Sequence, residues 1–222
     1  MVNVFSFCLY GHNPKYTLGM IENVKIINDK FKDWKIYIYY NNVPENILQQ
    51  LELYNNVVLI ISTYTNHKTM LDRFKPLDNI DVDIMMVRDA DSRIHDRDLW
   101  AIHQFINSTK KLHIIRDHRA HQRPIMGGIF GMKKGLINFN IEKTIKLFEP
   151  HHADIYQVDQ NFLAHFIYPI AIKMNDYLLH GHKIAGNEIL TPFPFPVVNN
   201  DFCGQVIDYK DGKPYREFEY IP

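Results

Sequence analysis

The sequence predicts an α/β protein: a mostly parallel central sheet with helices packed on its faces. Three observations predict it. Short apolar runs rich in Ile, Val, Phe and Tyr alternate with segments whose apolar residues recur at helical spacing. Gly, Pro and Asn breaks fall between them. No linker and no internal repeat interrupts the 222 residues, so a single domain is expected over 1–222. Strand–helix–strand alternation favours a parallel sheet, because parallel neighbours need a long crossover and a helix supplies it.

The elements follow in order. Val2 to Leu9 is apolar and strand-compatible, and Gly11-His12-Asn13-Pro14 ends it. From Lys15 to Phe31 the residues Met20, Val24, Ile27 and Phe31 mark one helical face. Trp34 to Tyr40 is the second strand. Pro44 opens a helix at its first turn, with Ile47, Leu48 and Leu51 as its apolar face. Val57 to Ile61 is the third strand, and His67 to Leu77 reads as a helix. Asp83 to Val87 is the fourth strand and runs directly into Arg88-Asp89-Ala90-Asp91. Leu99, Ile102 and Ile106 mark the next helix, and Leu112 to Ile115 the fifth strand. Beyond lie a Gly-rich stretch from Met126 to Gly135 and helices near 140–149 and 157–167. Ile155, Val158, Phe162 and Phe166 are expected as a core stripe of the second of these. A Pro-rich segment from Thr191 to Val198 follows, and Asp211-Gly212 reads as a hairpin turn.

Basic and acidic side chains number 25 each, so the formal net charge is zero. That balance argues against bulk binding of nucleic acid or anionic membrane and leaves a local basic patch open. A chain that is 46% hydrophobic and 23% charged can bury a sizeable core without disulfides. Cys8 and Cys203 fix no pairing, and Cys8 reads as a small buried hydrophobe. No stretch reaches about 18 consecutive apolar residues, and the first residues lack a basic leader and a cleavage pattern. No membrane span and a cytoplasmic location are therefore expected.

The chemistry concentrates in four places. In Arg88-Asp89-Ala90-Asp91-Ser92-Arg93, two carboxylates two positions apart follow a strand end, where α/β sheets collect ligands. Such a pair can share Mg²⁺ or Mn²⁺ and leave positions open for phosphate oxygens, with the arginines beside a diphosphate. The plainer reading is an acidic loop that caps the next helix. His180-Gly181-His182 places two imidazoles on one side of an extended segment, where one can complete a metal site, or else forms a polar turn. The stretch from His118 through His121 to Gly127, Gly128 and Gly131 offers backbone that a sugar or phosphate can approach, or a tight turn between strands. Asp159 and Gln160 open a helix, where a carboxylate either favours the helix dipole or takes a proton from a hydroxyl. Arg73 is a further candidate for a diphosphate, or a surface arginine.

Taken in order, Arg-Asp-x-Asp-Ser-Arg after a strand, Pro-x-x-Gly-Gly-x-x-Gly and Asp-Gln-x-Phe-Leu resemble small GT-A-type glycosyltransferases. Members occur in large DNA viruses and in assorted microbial and eukaryotic genomes, and the match runs over about residues 1–185. The resemblance implies a GT-A-like domain with a nucleotide-sugar-binding half (about 1–115) and an acceptor-binding half (about 116–222). It implies a nucleotide-diphosphate sugar donor, most often a UDP-sugar, a glycan or other hydroxyl acceptor, and Mn²⁺ or Mg²⁺; it favours retention at the transferred hexosyl or deoxyhexosyl carbon over inversion with Asp159 as base, a choice that the sequence leaves open. Asp89 and Asp91 match the metal pair, with Arg88 and Ala90 beside the diphosphate. Ser6, Leu9, Tyr10 and Gly11 would border the nucleotide, and Arg73 would face the donor. Gly127 and Gly128 match the loop beside the transferred sugar, and Asp159 the acid near the reacting carbon. His118, His121 and Gln160 are expected on the acceptor side, and His180 or His182 as a late metal ligand. Phe130 stands where relatives often have Trp. For a viral member the location would be the host cytoplasm. The rival readings are a sugar-phosphate nucleotidyltransferase, a metal-dependent phosphoesterase and a non-catalytic glycan-binding module.

Overall fold

The centre of the molecule is β1 (Val2–Tyr10), flanked by β2 (Lys35–Asn41) and β4 (Val82–Arg88), both parallel to it. The structure, a computed structural model, describes residues 1–65 and 67–219. With β3 (Val57–Ile61), β5 (Leu112–Arg116), β6 (Ile129–Lys133), β7 (Tyr177–Gly181) and β8 (Leu190–Thr191), these make an eight-stranded sheet in the order β3-β2-β1-β4-β6-β5-β7-β8. Only β6 is reversed, pairing antiparallel with β4 on one side and β5 on the other. The carboxyl ends of all the other strands therefore share one edge of the sheet, and β6 starts there. A separate hairpin joins β9 (Ile207–Lys210) to β10 (Lys213–Arg216). Asp211 and Gly212 turn it with φ of 51° and 75°, the positive pair that a two-residue turn requires.

Alternation along β1 divides the core into two. Phe5, Phe7 and Leu9 face one side, where α1 (Pro14–Lys30), α2 (Glu45–Glu52) and α4 (Asp96–Asn107) bury Met20, Val24, Ile27, Leu51, Ile102 and Phe105. Val4 faces the other, against Leu71, Phe74, Ile145 and Phe162. That second layer holds α3 (Thr69–Asp72), α5 (Ile141–Phe148), α6 (Val158–Phe162) and α7 (Tyr168–Met174). Helix α1 starts where expected: Asn13 accepts a hydrogen bond from the Lys15 amide at 2.9 Å, and Pro14 occupies the first turn.

Two elements differ from the sequence reading. The helix expected over 67–77 is one turn, α3, followed by a 3₁₀ turn at Lys75–Asp78. Pro76 explains the break, since it lacks an amide hydrogen and disfavours helical backbone at Lys75. The helix expected at 157–167 starts at Val158, widens into a π-turn at Leu163–Ile167 and continues as α7. Pro169 near the start of α7 cannot donate to the turn before it, which fits the wider turn there. Gln157, at φ 72°, starts the run abruptly, so Ile155 lies outside the helix and is 52% exposed, not core. Among the described residues no helix is long and apolar enough to cross a membrane.

Candidate active site

The edge carrying the strands' carboxyl ends encloses a cavity of about 540 Å³. Arg88 ends β4, and the next three residues form a loop whose every carbonyl is tied down. The Asn23 side chain, on α1, donates to the Ala90 and Ser92 carbonyls at 3.3 and 2.9 Å. Ser92 Oγ donates to the Asp89 carbonyl at 3.2 Å, and the Ile207 amide to that of Asp91 at 2.8 Å. Gly19 lets α1 approach: a Cβ there would lie 2.2 Å from the Ala90 oxygen. So held, the loop lines the cavity with Asp89, Ala90 and Asp91.

Arg73, just after α3, is only 3% exposed and joins two parts of this site. Its Nη1 donates to Asp89 Oδ1 at 2.5 Å and its Nη2 to Asp159 Oδ2 at 2.7 Å. Burial opposes its charge, but the two carboxylates outweigh that and raise its pKa. Asp159, in the first turn of α6, is 1% exposed, and its Oδ1 has no hydrogen-bond partner among the described residues. Gly127 and Gly128 pass between the partners of Arg73. A Cβ on Gly127 would lie 2.1 Å from Asp159 Oδ2, and one on Gly128 1.8 Å from Asp89 Oδ2. Neither glycine has positive φ, so room for the carboxylates explains them rather than a special turn.

Asp91 is the more buried member of the pair, its side chain 14% exposed against 45% for Asp89. Burial and the neighbouring Asp89 push its carboxyl up to about 7, against the pull of Lys15, whose Nζ is 3.8 Å away. Lys15 itself pairs with Glu217 from the C-terminal segment. Two crowded carboxylates, short of positive charge, fit a hard divalent cation. Among the described residues no group of three or more His, Cys, Asp or Glu side chains converges as a metal cage. A cation here would therefore take two protein carboxylates and fill its other positions with water and substrate oxygens, as Mg²⁺ commonly does.

Other expected site residues divide into those at the cavity and those away from it. Tyr10 and Gly11 line it at the end of β1, with Cys8. Leu9 does not: strand alternation turns it into the core beneath α1. Cys8 is half-buried and donates to the Thr69 carbonyl at 2.8 Å, and Ser6 is buried within the sheet. Arg88 is fully buried, bound to Asp98 through Nε (2.9 Å) and Nη2 (2.8 Å), and so serves the fold rather than a diphosphate. Arg93 bonds the Ala90 and Ser92 carbonyls and the Tyr209 hydroxyl. His118, His121 and Gln160 also line the cavity. His118 stacks on Phe202 at 4.5 Å between ring centroids. His121 is held neutral by burial, its pKa lowered to about 3.

The late histidines are not brought to the aspartates. His180 is buried in β7, 3.0 Å from His113, with Trp100 and Phe193 against its ring. His182 does not share its side, because Gly181 at φ 100° breaks the alternation. His182 lines a second hollow instead. Sequence reasoning missed Asn23, Gly19 and Lys15, and also the C-terminal wall of Phe202, Val206 and Phe218. A polar Asn facing an otherwise apolar helix side was the one signal for the first. The C-terminal wall carried none, since it is placed by long-range pairing.

No protein-family model and no curated protein matches the chain. Solved structures do. A galactosyltransferase, LgtC, in complex with donor and acceptor sugar analogs is similar with a TM-score of 0.50 at 14% identity, over 73% of this chain and 69% of that one. A glycosyltransferase involved in glycosylation of the major capsid of PBCV-1 gives 0.53 at 12% identity, over 82% of each chain. The mannosyltransferase PcManGT from Pyrobaculum calidifontis, in complex with GDP-Man and Mn²⁺, gives 0.51 at 13% identity, over 88% of this chain and 57% of that one. The α/β architecture, with its mostly parallel eight-stranded sheet, thus matches the GT-A glycosyltransferase fold.

Proposed function

We propose that the protein is a glycosyltransferase that moves a sugar from a nucleotide-diphosphate sugar, a UDP-sugar in the first instance, to a hydroxyl of a glycan or other acceptor. One observation carries the reading: a buried arginine, Arg73, fastens a half-exposed acid of a strand-end Asp-x-Asp pair, Asp89, to a buried acid, Asp159, beside two side-chain-free residues. A diphosphate held near Asp89 and Asp91 would leave its sugar between Gly127, Gly128 and Asp159.

Asp89 and Asp91 would hold Mn²⁺ or Mg²⁺, which when bound neutralises charge on the departing diphosphate. Tyr10 and Gly11 border the nucleotide. The bond from the anomeric carbon to the diphosphate oxygen breaks, and one forms to the acceptor oxygen. In the retaining course that we favour, the acceptor proton passes to the departing diphosphate. Asp159 would then serve through charge: Oδ2 is fixed by Arg73, and Oδ1, buried with no partner among the described residues, would stabilise the positive character that develops at the anomeric carbon. The rivals are less well supported. A phosphoesterase built on the aspartates and late histidines loses His180 to the core. The three solved structures named above are sugar transferases rather than nucleotidyltransferases or binding modules. We place the reaction in the cytoplasm, which suits two unpaired thiols, Cys8 and Cys203.

Isothermal titration with UDP tests the reading. Mn²⁺ is expected to tighten binding at least about tenfold, and EDTA to reverse the gain. UDP binding indifferent to EDTA would reject the metal assignment, and failure of UDP and GDP alike to bind would reject the donor.

A further inference from the structure

Beside the donor cavity lies a second hollow of about 370 Å³. It shares His118 with the first and contains neither Asp89, Asp91 nor the glycine pair. Its apolar wall is Pro192, Phe193 and Phe195, and Phe195 is 38% exposed. Such a wall suits the C–H face of a sugar ring.

The charges around the hollow do not cancel. Asp117, which lines it, is taken by Arg97 at 2.6 and 2.7 Å and by the Cys203 amide at 2.9 Å. Arg116 is likewise spent on Glu188, at 2.6 and 3.0 Å. Arg119 lines the hollow, is exposed, and its side chain makes no ion pair or hydrogen bond with the described residues. Glu219 meets His118 through its backbone carbonyl, at 3.2 Å. In a chain of zero net charge, the hollow is thus lined by one arginine, Arg119, that no carboxylate of the described residues pairs with, and Arg119 is not among the residues that line the cavity of Asp89 and Asp91.

We propose that this hollow receives the acceptor and that the acceptor is an anion: a sugar bearing a carboxylate or phosphate near the hydroxyl that is glycosylated. This rests on the glycosyltransferase reading. The test uses the full chain with Mn²⁺ and a nucleotide sugar that it hydrolyses slowly with water as acceptor. Nucleotide release is then measured with neutral glycosides, the matching glycuronides and the matching sugar phosphates. At least one anionic class is expected to show a KM about tenfold or more below its neutral counterpart, and whichever class does so identifies the charged group. Arg119→Ala is expected to raise KM for that acceptor about tenfold more than for the neutral one, with Arg119→Lys recovering most of the loss. Equal use of neutral and anionic acceptors, or an equal KM rise for both in Arg119→Ala, would overturn the proposal. Absence of any donor binding or hydrolysis would instead overturn the glycosyltransferase reading, and the acceptor proposal with it.

Discussion

Arg73 spans 2.5 Å to one acid and 2.7 Å to another, so these three side chains act as a unit. Asp91 stands outside that unit, and its chemistry is the more revealing. Its folded pKa of about 7 lies above the ordinary 3.8. A cation must displace that proton, so Mn²⁺ affinity is expected to rise with pH, approaching tenfold per unit below about pH 7, and to level above it. A pH-independent Mn²⁺ affinity between 5 and 8, by titration calorimetry, would remove Asp91 from the site. The linkage sign for stability is opposite to that of a salt-bridged acid. The folded state holds this proton more tightly than the unfolded chain, so the metal-free protein loses stability as pH rises from about 4 to about 7. Gly128→Ala supplies a second test. The new methyl would fall 1.8 Å from Asp89 Oδ2, and Asp89 must swing away. Nucleotide affinity in Mn²⁺ is expected to fall about tenfold or more, with little change without metal. Asp89 and Asp91 were legible because two acids two apart at a strand end are conspicuous, Gly127 and Gly128 because adjacent glycines invite close approach, and Arg73 through the resemblance. Leu9, Arg88 and His180 were not, since side-chain direction and burial decide them.

At the scale of elements, the Asp-x-Asp loop owes its shape to neighbours remote in sequence. Gly19 sits mid-helix, where Ala is intrinsically better by roughly 1 kcal/mol. Helix propensity alone therefore predicts that Gly19→Ala stabilises the protein. The structure predicts the reverse, because the added carbon would meet the Ala90 oxygen at 2.2 Å. A lower melting temperature and about tenfold weaker UDP binding in Mn²⁺ are expected, read by thermal shift and calorimetry. A melting temperature equal to or above the parent's would disprove the contact. The first five strands and the helices between them, α3 excepted, were readable, because local apolar periodicity specifies each one. Two elements were not, for a local reason: Pro76 divides one expected helix, and Pro169 accompanies the π-turn of another.

Across the whole molecule, the reversed strand β6 is what makes the site. Its entry, through Gly127 and Gly128, crosses the edge where β1, β4 and β5 end, and it sets the Asp89 amide 3.1 Å from the Gly128 carbonyl. That insertion between β4 and β5 depends on pairing across the chain, which is why the second half was less legible than the first. The same holds for the C-terminal segment, whose Ile207 and Glu217 anchor the Asp91 loop and Lys15. The cavity with its acidic pair and the second hollow both lie along this one edge. The most direct measurement is an anomalous-scattering map from a crystal of the protein grown with Mn²⁺ and UDP. The account predicts a manganese peak within coordination distance of both Asp89 and Asp91 and of the nucleotide's diphosphate. A nucleotide bound elsewhere, or a manganese peak that touches neither carboxylate, would contradict it.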